Sequence, residues 1–239
     1  MFLNNLNSIL EILKSERSVL EKIYLEKGKK GGRIEEIISL SRSKGIPITW
    51  VEREIFEKIY PKSRGIVAKV SPVSYSNPED IISSSKNPFI VVLDGIEDPR
   101  NFGAIIRTCV STGVDGIIIR KVRSVGITPA VYSSSAGMVE HIKIGRVTNI
   151  SRFLEEIKEK GIKVVGAEKD GKQPYFSFDY NQPIAIVFGS EGKGISRLVK
   201  EKCDVILSIP MKPLAQSLNI SVAVGVFLFE VLRQREFKK

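Results

Sequence analysis

The stretch Ile206–Ala223, ILSIPMKPLAQSLNISVA, is the segment from which the fold of this chain is inferred. It starts as a short apolar strand, is interrupted by Pro210 and Pro213, and turns into a helix through residues 217–219, SLN. In α/β proteins, ligands bind where a parallel strand ends in a polar loop that leads to a helix. The stretch therefore predicts a ligand site, although a purely structural strand, loop and helix has the same pattern.

Strands and helices alternate in the residues before this stretch as well. Phe89–Leu93, FIVVL, is a continuous apolar run, which is typical of a strand buried on both faces of a parallel sheet. Further strands are predicted at Gly116–Ile119, Ile142–Ile144, Lys163–Val165 and Ile184–Phe188, and helices at Ser151–Glu159, Ser196–Lys202 and Ser217–Arg235. The last helix is apolar on nearly every face, which predicts burial in a core or in a subunit interface. The pattern predicts an open, mostly parallel sheet with helices on both faces.

A smaller α/β domain precedes this sheet. Shorter strands and helices alternate up to Val70, and then Ser71–Asn87, SPVSYSNPEDIISSSKN, is rich in Ser, Pro and Asn and has little apolar periodicity. Such composition is typical of a connection between domains. We therefore divide the chain into a small domain at residues 1–72, a linker at 73–87 with a short helix after Pro78, and a larger domain at 88–239.

The charge of the chain favours a polyanionic partner. The 239 residues include 37 Lys and Arg against 27 Asp and Glu, which gives a formal net charge of +10. Positive charge is denser in the first 76 residues, with 14 basic and 9 acidic side chains. The turn KGKKGGR at 27–33 brings together Lys27, Lys29, Lys30 and Arg33, and this pattern suits either a phosphate clamp or a solvated turn. The simplest such partner is a nucleic acid, and this turn is a candidate contact with it.

Several other classes of protein are disfavoured. The chain contains two cysteines, Cys109 and Cys203, and one histidine, His141. Neither a disulfide framework nor a metal site is therefore predicted, and His141 is interpreted as structural. The N-terminus, MFLNNLNSILEILKSER, carries Glu11 within its apolar pattern, unlike a signal peptide, and no apolar run is long enough to span a membrane. We expect a cytoplasmic protein without a membrane partner.

A second polar loop follows the strand Phe89–Leu93. It leads from DGIEDPRNF into a helix, with Asn101 near the helix N-terminus and Arg107 six residues later. Free backbone amides at a helix N-terminus favour anions, and an arginine binds phosphate through a forked cation. The pair suits a phosphate-bearing ligand, but a capping asparagine and a surface arginine have the same pattern.

A third polar loop, FGSEGKGIS at 188–196, follows the strand Ile184–Phe188. Its glycines allow a ligand to approach the backbone, and Glu191 and Lys193 lie between them. The pattern is neither G-x-G-x-x-G nor a Walker A loop, which argues against a nucleotide-dependent oxidoreductase or an NTPase. The three loops contain no metal cage, no Ser-His-Asp set and no activated thiol, although helix capping alone would explain Ser217. They suit a nucleoside-like cofactor and an in-line group transfer that depends on positioning.

The three loops, in this order, resemble the three motifs of the SpoU family of RNA ribose 2′-O-methyltransferases, within the SPOUT superfamily. LDGIEDPRNFGAIIRT resembles the first motif, IVFGSEGKGIS the second and IPMKPLAQSLNISVA the third, with fitting spacing over residues 87–239. The N-terminal part, ending in RGIVAKVSPVSY, resembles the L30e-like substrate domain of the bacterial 23S rRNA (guanosine-2′-O-)-methyltransferases. The resemblance implies a parallel-sheet α/β domain with a deep trefoil knot, a preceding L30e-like RNA-binding domain, and a homodimer formed through the C-terminal domain.

The same resemblance implies a role for individual residues. The cofactor would be S-adenosylmethionine, and its binding residues would be Gly189, Ile209, Met211, Leu218 and Asn219. The catalytic residues facing RNA would be Asn101, Arg107, Glu191, Ser217 and Asn219, with Arg107 assisting removal of the ribose proton or stabilising the forming alkoxide. The sequence departs from the family at Pro213 and Ala215, where Gly and Val are common, and at Arg64, where relatives often carry His or Gln.

These observations lead to one functional hypothesis and three alternatives. The leading hypothesis is methyl transfer to a ribose 2′-hydroxyl of RNA, on a guanosine of 23S rRNA. An alternative within the same class is a tRNA or antibiotic-resistance methyltransferase, although the simplest tRNA enzymes lack the N-terminal domain. A non-catalytic RNA-binding module has no need of the five catalytic residues, and a nucleotide-dependent oxidoreductase lacks its glycine fingerprint.

Overall fold

Two compact units make up the protein. The computed structural model describes residues 1–15, 19–71, 74–212, 214 and 217–237. One unit contains Met1–Ser74 together with Ile127–His141, and the other contains Tyr75–Gly126 and Ile142–Lys239. Among the helices that lie in these described ranges, none has both the length and the apolarity needed to cross a bilayer.

The first unit has a mixed sheet with helices packed on it. Its strands are β1 (Phe2–Leu3), β2 (Leu20–Glu26), β3 (Ile48–Val51) and β4 (Ile66–Val70), in the order β1-β4-β2-β3. β2 pairs parallel with β3 and antiparallel with β4, and β1 pairs antiparallel with β4. The helices are α1 (Leu6–Lys14), α2 (Gly32–Ser43) and α3 (Arg53–Ile59). Leu20, Ile23 and Leu25 of β2 are buried, as expected where a sheet packs against helices around one core.

The segment Ile127–His141 completes the first unit although it comes from the C-terminal half of the chain. It forms α6 (Pro129–Ser134) and a 3₁₀ turn at Met138–His141. The sequence placed these residues in the larger domain. In the structure the Ser8 hydroxyl donates a hydrogen bond of 2.9 Å to the carbonyl of Tyr132, whose side chain is fully buried. The burial of Tyr132 explains why this segment belongs to the first unit. No local sequence pattern indicates this burial.

The second unit is built on a parallel sheet, as the sequence predicted. Its strands are β5 (Phe89–Asp94), β6 (Gly116–Arg120), β7 (Lys143–Val147), β8 (Lys163–Ala167), β9 (Gln173–Pro174), β10 (Ile184–Gly189) and β11 (Val205–Ser208). Across the described residues the order is β7-β6-β5-β10-β8-β11-β9, and every pairing is parallel. All six residues of β5 are buried, which explains its continuous apolar run.

Helices cover both faces of this sheet. They are α4 (Pro78–Ile82), α5 (Pro99–Ser111), α7 (Ile150–Glu159), α8 (Arg197–Lys200) and α9 (Ile220–Glu236). α4, α7 and α8 contribute to a buried cluster with one face of the sheet. On the other face α5 packs on α9, and Phe227 of α9 meets Phe188 of β10 edge to face at 5.6 Å between ring centroids. The confirmed fold class is α/β with a large parallel sheet, and the knot implied by the resemblance stays a prediction.

Two elements differ from their predicted bounds. Most of the expected linker at 73–87 belongs to the second unit, because Ile81 and Ile82 of α4 are buried in its core. The last helix begins at Ile220 rather than at Ser217, because the Asn219 side chain caps it by accepting the backbone N–H of Ser221 at 2.8 Å. Ser217 therefore lies in the loop before the helix.

Candidate cofactor pocket at the strand ends

A cavity of about 720 Å³ opens where β8, β10 and β11 end in the second unit. Parallel strands place their carboxyl ends at one edge of the sheet, so loops that are distant in sequence meet there. The cavity is lined by Ala167, Glu168, Lys169, Phe188, Gly189, Ser190, Glu191, Gly192, Lys193, Gly194, Ile209, Met211, Ser217, Leu218, Asn219, Ile220, Ala223 and Phe227. This set includes all five residues expected to bind the cofactor, and its volume is in the usual range for small-molecule pockets.

Asn101, Glu191 and Asn219 form one hydrogen-bonded group that joins the three loops. The Asn101 amide nitrogen donates to the Glu191 carboxylate, and the Asn219 amide nitrogen donates to the Asn101 side-chain oxygen at 3.1 Å. Asn101 lies in the first turn of α5, where the Asp98 side chain caps the helix by accepting from the backbone N–H of Arg100 at 2.8 Å. Three residues separated by up to 118 positions are therefore held together at the rim of the cavity.

Arg107 lies elsewhere on the same helix. Six residues along an α-helix correspond to a rise of about 9 Å and a rotation of about 120° away from the direction of Asn101. The Arg107 side chain is exposed and is not part of the cavity lining, and within the described chain no hydrogen bond or ion pair involves its guanidinium. The structure thus brings four of the five predicted catalytic residues to the cavity or its rim, and leaves Arg107 free to meet a macromolecular ligand.

Close packing of the backbone requires a glycine at position 189, where β10 ends and the loop begins. Ser190 and Gly194 exchange two backbone hydrogen bonds of 3.0 Å, which closes the loop into a hairpin with Glu191 near its tip. A Cβ atom at Gly189 would lie 1.9 Å from the carbonyl carbon of Gly194 and 2.1 Å from the nitrogen of Ile195. No side chain fits at Gly189, so a steric requirement explains this glycine. The sequence alone identified it only as part of a generic glycine-rich turn.

Some pocket residues were missed from the sequence. Ala167 is the last residue of β8, Glu168 and Lys169 follow it directly, and Phe227 reaches the cavity from the middle of α9. The end of β8 carried a usable signal, because Glu168 follows a predicted strand of the same parallel sheet. Phe227 had no such signal, since its pattern is that of an ordinary core residue.

Two predicted features cannot be described at this site. Pro213 and Ala215, the departures from the family pattern in the third loop, lie outside the described residues.

The basic turn expected to contact RNA belongs to the first unit. Lys27 forms an ion pair with Glu52, which offsets part of its charge, and the Lys29 side chain packs over Gly65. Lys30 and Arg33 are exposed at the turn between β2 and the first helical turn of α2. The turn therefore presents its cations together, although one of them is already paired.

The two cysteines are not activated nucleophiles. Burial raises the pKa of the Cys203 thiol to about 12, and complete burial also raises the pKa of Cys109. Thiols of this kind stay protonated at neutral pH and react slowly. Neither thiol is among the residues that line the cavity, whose polar groups are carboxylates, amides, hydroxyls, the ammonium groups of Lys169 and Lys193, and backbone groups.

Comparison with known proteins places these features in a family. Residues 88–229 match the model of the SpoU rRNA Methylase family, and residues 6–76 match a model described as RNA 2′-O ribose methyltransferase substrate binding. A putative TrmH family tRNA/rRNA methyltransferase, YacO of Bacillus subtilis (strain 168), is 41% identical over 234 residues, covering 96% of this chain and 94% of the relative. A second such protein, from Staphylococcus haemolyticus (strain JCSC1435), is 38% identical over 221 residues, covering 90% and 89%.

A solved structure shares the fold over the whole chain. The SpoU methyltransferase AviRb from Streptomyces viridochromogenes, solved in complex with AdoMet, superposes with a TM-score of 0.85. The match covers 100% of this chain and 91% of that protein at 22% sequence identity. At this identity the superposition shows a common fold.

Proposed function

The chain belongs to the SpoU rRNA methylase family, and on this premise we propose that it transfers the methyl group of S-adenosylmethionine to a ribose 2′-hydroxyl of RNA. The target that we propose is a guanosine of 23S rRNA. The observation that carries the proposal is the group Asn101, Glu191 and Asn219, one residue from each loop, held at the rim of the cavity. A protein that only binds RNA has no use for this arrangement.

The residues of the cavity fit the proposed cofactor. Ile209, Leu218 and Phe227 offer apolar surface suited to an adenine ring, while Gly189 brings backbone groups to the wall without a side chain. Lys169 and Lys193 offer cations that would attract the carboxylate of the cofactor. When bound, S-adenosylmethionine supplies an electrophilic methyl group on its sulfonium sulfur. We assign the binding residues as Gly189, Ile209, Met211, Leu218 and Asn219.

The mechanism that we propose is an in-line displacement. With S-adenosylmethionine bound, the ribose 2′-oxygen would form a bond to the methyl carbon as the carbon–sulfur bond breaks with its electron pair going to sulfur. The hydroxyl proton would pass to a phosphate oxygen of the RNA substrate. Ser217 and Asn219 orient the ribose, and Glu191 holds the Asn101 amide in place through its hydrogen bond. Arg107 stabilises the forming alkoxide through its guanidinium cation, or assists the proton transfer together with that substrate phosphate.

A methyl-transfer assay tests the proposal. The protein is incubated with S-adenosylmethionine carrying a radiolabelled methyl group and with total rRNA or total tRNA that lacks its modifications, and the labelled nucleotide is then mapped. We expect label in 23S rRNA as 2′-O-methylguanosine. Label in tRNA, or at a different rRNA nucleotide, would move the substrate to the alternatives considered above, and no label in any RNA would reject the catalytic proposal.

We further propose that the turn carrying Lys27, Lys29, Lys30 and Arg33 binds the RNA backbone. Replacing all four with glutamine should weaken RNA binding and flatten the dependence of log K on log salt. Each lost phosphate contact lowers that slope by about 0.7 for single-stranded RNA. Because Lys27 is paired with Glu52, we expect a loss equivalent to about two or three contacts rather than four. Filter binding between 50 and 300 mM salt, roughly the range in which such slopes are measured, provides the readout.

The chain offers a charge-matched control in the second unit. Its four residues are exposed basic side chains, namely Arg152 and Lys158 on α7, Lys160 just after it, and Lys163 at the start of β8. Replacing these with glutamine removes the same charge and should leave the slope unchanged. Equal slopes for the wild type and the Lys27–Arg33 variant would contradict the proposed contact.

We also propose a homodimer that forms through α9. Val222 and Phe229 are 50% and 53% exposed, and they lie seven residues apart on one side of the helix. Phe229→Asp would place a charge in the buried interface, so we expect it to convert the dimer to a monomer in sedimentation velocity experiments. Phe176→Asp is the matched control, because Phe176 is 54% exposed in the same unit but lies outside α9. A Phe229→Asp protein that sediments as the wild type would exclude this face as the interface.

A further inference from the structure

The hairpin Ser190–Gly194 forms a continuous part of the cavity wall. All five of its residues line the cavity, and Glu191 accepts the hydrogen bond from Asn101. Its own closure consists of the two backbone hydrogen bonds between Ser190 and Gly194. A five-residue turn with two backbone hydrogen bonds does not by itself have one orientation relative to the sheet, so other contacts must set where Glu191 points.

The first such contact comes from the strand on one side of β10. β10 pairs with β8 so that Phe188 lies level with Ala167, which places Glu168 beside the start of the hairpin. The Glu168 carboxylate accepts the backbone N–H of Ile195, the residue that follows the hairpin. A Cβ atom at Gly194 would lie only 2.4 Å from a Glu168 oxygen, so the carboxylate is packed directly on the hairpin backbone.

The second contact comes from the strand on the other side of β10. β10 also pairs with β5, and Gly189 lies level with Asp94. The Asp94 carboxylate accepts from the backbone N–H of Ser196 at 2.9 Å and from its hydroxyl at 2.6 Å. Arg120 at the end of β6 donates to the other Asp94 oxygen at 2.7 Å, and the Asp94 side chain is only 2% exposed. A buried carboxylate with three donors is strongly fixed in position.

Two successive backbone amides, Ile195 and Ser196, are thus held by two carboxylates from opposite sides of the same strand. We propose that Glu168 and Asp94 are positioning residues that fix the hairpin against the cavity and keep Glu191 within reach of Asn101. Glu168 lies outside all three sequence motifs, and nothing in its local pattern marks this role. The consequence for the reaction rests on the function proposed above, whereas the anchoring itself does not depend on any ligand.

The variants Glu168→Ala and Glu168→Gln test this role. Alanine removes the acceptor for the Ile195 N–H, whereas the glutamine side-chain oxygen still accepts it. A hydrogen bond to a charged group in a partly buried site contributes a factor of about ten or more to an equilibrium constant. We therefore expect Glu168→Ala to raise the dissociation constant for S-adenosylmethionine about tenfold in calorimetry. We expect Glu168→Gln to restore the affinity to within about twofold of the wild type.

Amide hydrogen exchange provides a readout that does not depend on the ligand. In Glu168→Ala the Ile195 amide should exchange faster by about tenfold, measured by NMR, while the amides of β10 should keep their protection. The matched control is Asp170→Ala, because Asp170 is exposed, lies two residues after Glu168, and pairs with Lys200 at 2.8 Å. It should change neither the affinity nor the exchange of Ile195.

The outcomes separate this inference from the proposed function. A wild-type protein that does not bind S-adenosylmethionine, but whose Ile195 amide responds to Glu168→Ala as expected, would reject the function and keep the anchoring. Wild-type exchange and wild-type affinity in Glu168→Ala would overturn the positioning role. The role would also be wrong if Glu168→Gln were as impaired as Glu168→Ala, since the negative charge rather than the acceptor would then matter.

Discussion

Replacing Arg107 with alanine should lower the turnover number for methyl transfer by about 10²- to 10⁴-fold, the usual contribution of a positioned acid–base or charge-stabilising group. The dissociation constant for S-adenosylmethionine should stay within about twofold of the wild type. The two expectations have one structural cause. Arg107 is exposed on α5 and does not line the cavity, so its loss would remove the proposed interaction with RNA without changing the proposed cofactor site.

Single-turnover kinetics with saturating RNA and calorimetry with S-adenosylmethionine check this pair of values. The control is Arg152→Ala, because Arg152 is an exposed helical arginine whose partner, Glu156, lies one turn along the same helix. It should retain wild-type turnover. If Arg107→Ala failed to bind the cofactor, the assignment of Arg107 to the RNA side of the reaction would be wrong.

A second substitution at this position distinguishes the two proposed roles. Arg107→Lys keeps a positive charge with a pKa of about 10.4 but loses the planar fork. Retention of turnover within about tenfold of the wild type would favour charge stabilisation of the alkoxide. A loss as large as that of Arg107→Ala would favour a role in which the guanidinium shares a substrate phosphate through two hydrogen bonds.

Gly189→Ala should produce the largest loss of cofactor affinity among single substitutions in the cavity. The added Cβ would lie 1.9 Å from the Gly194 carbonyl carbon and 2.1 Å from the Ile195 nitrogen, and neither backbone atom is able to move without opening the hairpin. Overpacking of this kind typically costs about 1–3 kcal/mol, which corresponds to about a 5- to 150-fold increase in the dissociation constant. Calorimetric titration with S-adenosylmethionine gives that value directly.

A glycine in open space is the control for this substitution. Gly32 begins α2 in the other unit, and a Cβ atom there would meet no heavy atom within 4 Å. Gly32→Ala should therefore leave cofactor affinity unchanged, and alanine in a helix should not lower the melting temperature. Far-UV circular dichroism of Gly189→Ala establishes that the protein is folded. A folded Gly189→Ala protein with wild-type affinity would show that the hairpin does not form the cofactor wall.

Much of the fold was predictable from the sequence because the signals are local. The apolar run Phe89–Leu93 lies in a strand buried on both faces. The helix after it begins at Pro99, inside the stretch that was predicted as a polar loop, because the Asp98 side chain caps it there. Six of the larger unit's predicted elements have counterparts with similar bounds, since hydrophobic periodicity reports directly on burial. The observed bounds differ from the predicted ones where a capping side chain sets the start of a helix. Asn219 caps α9, which begins three residues later than the apolar pattern indicated.

The domain division was less accessible to sequence reasoning. Residues 75–87 have the composition of a linker, but two isoleucines of α4 are enough to bury that segment in the second unit. The sequence pattern assigns residues 127–141 to the larger domain. In the structure they contact α1, which lies more than a hundred positions earlier in the chain. Contacts of such high sequence separation leave no periodic trace in the chain.

The candidate site divides in the same way. The sequence alone was sufficient to identify the three loops and to assign them to the SpoU family, because the identities and order of Asn101, Glu191 and Asn219 are themselves the signal. Only the tertiary structure decided that these three side chains hydrogen-bond to one another while Arg107 points elsewhere, and that Glu168 and Asp94 hold the hairpin from either side. The physical reason is that a parallel sheet brings together the ends of strands that are far apart in the chain, so register and strand order, which no local pattern encodes, determine which polar groups meet.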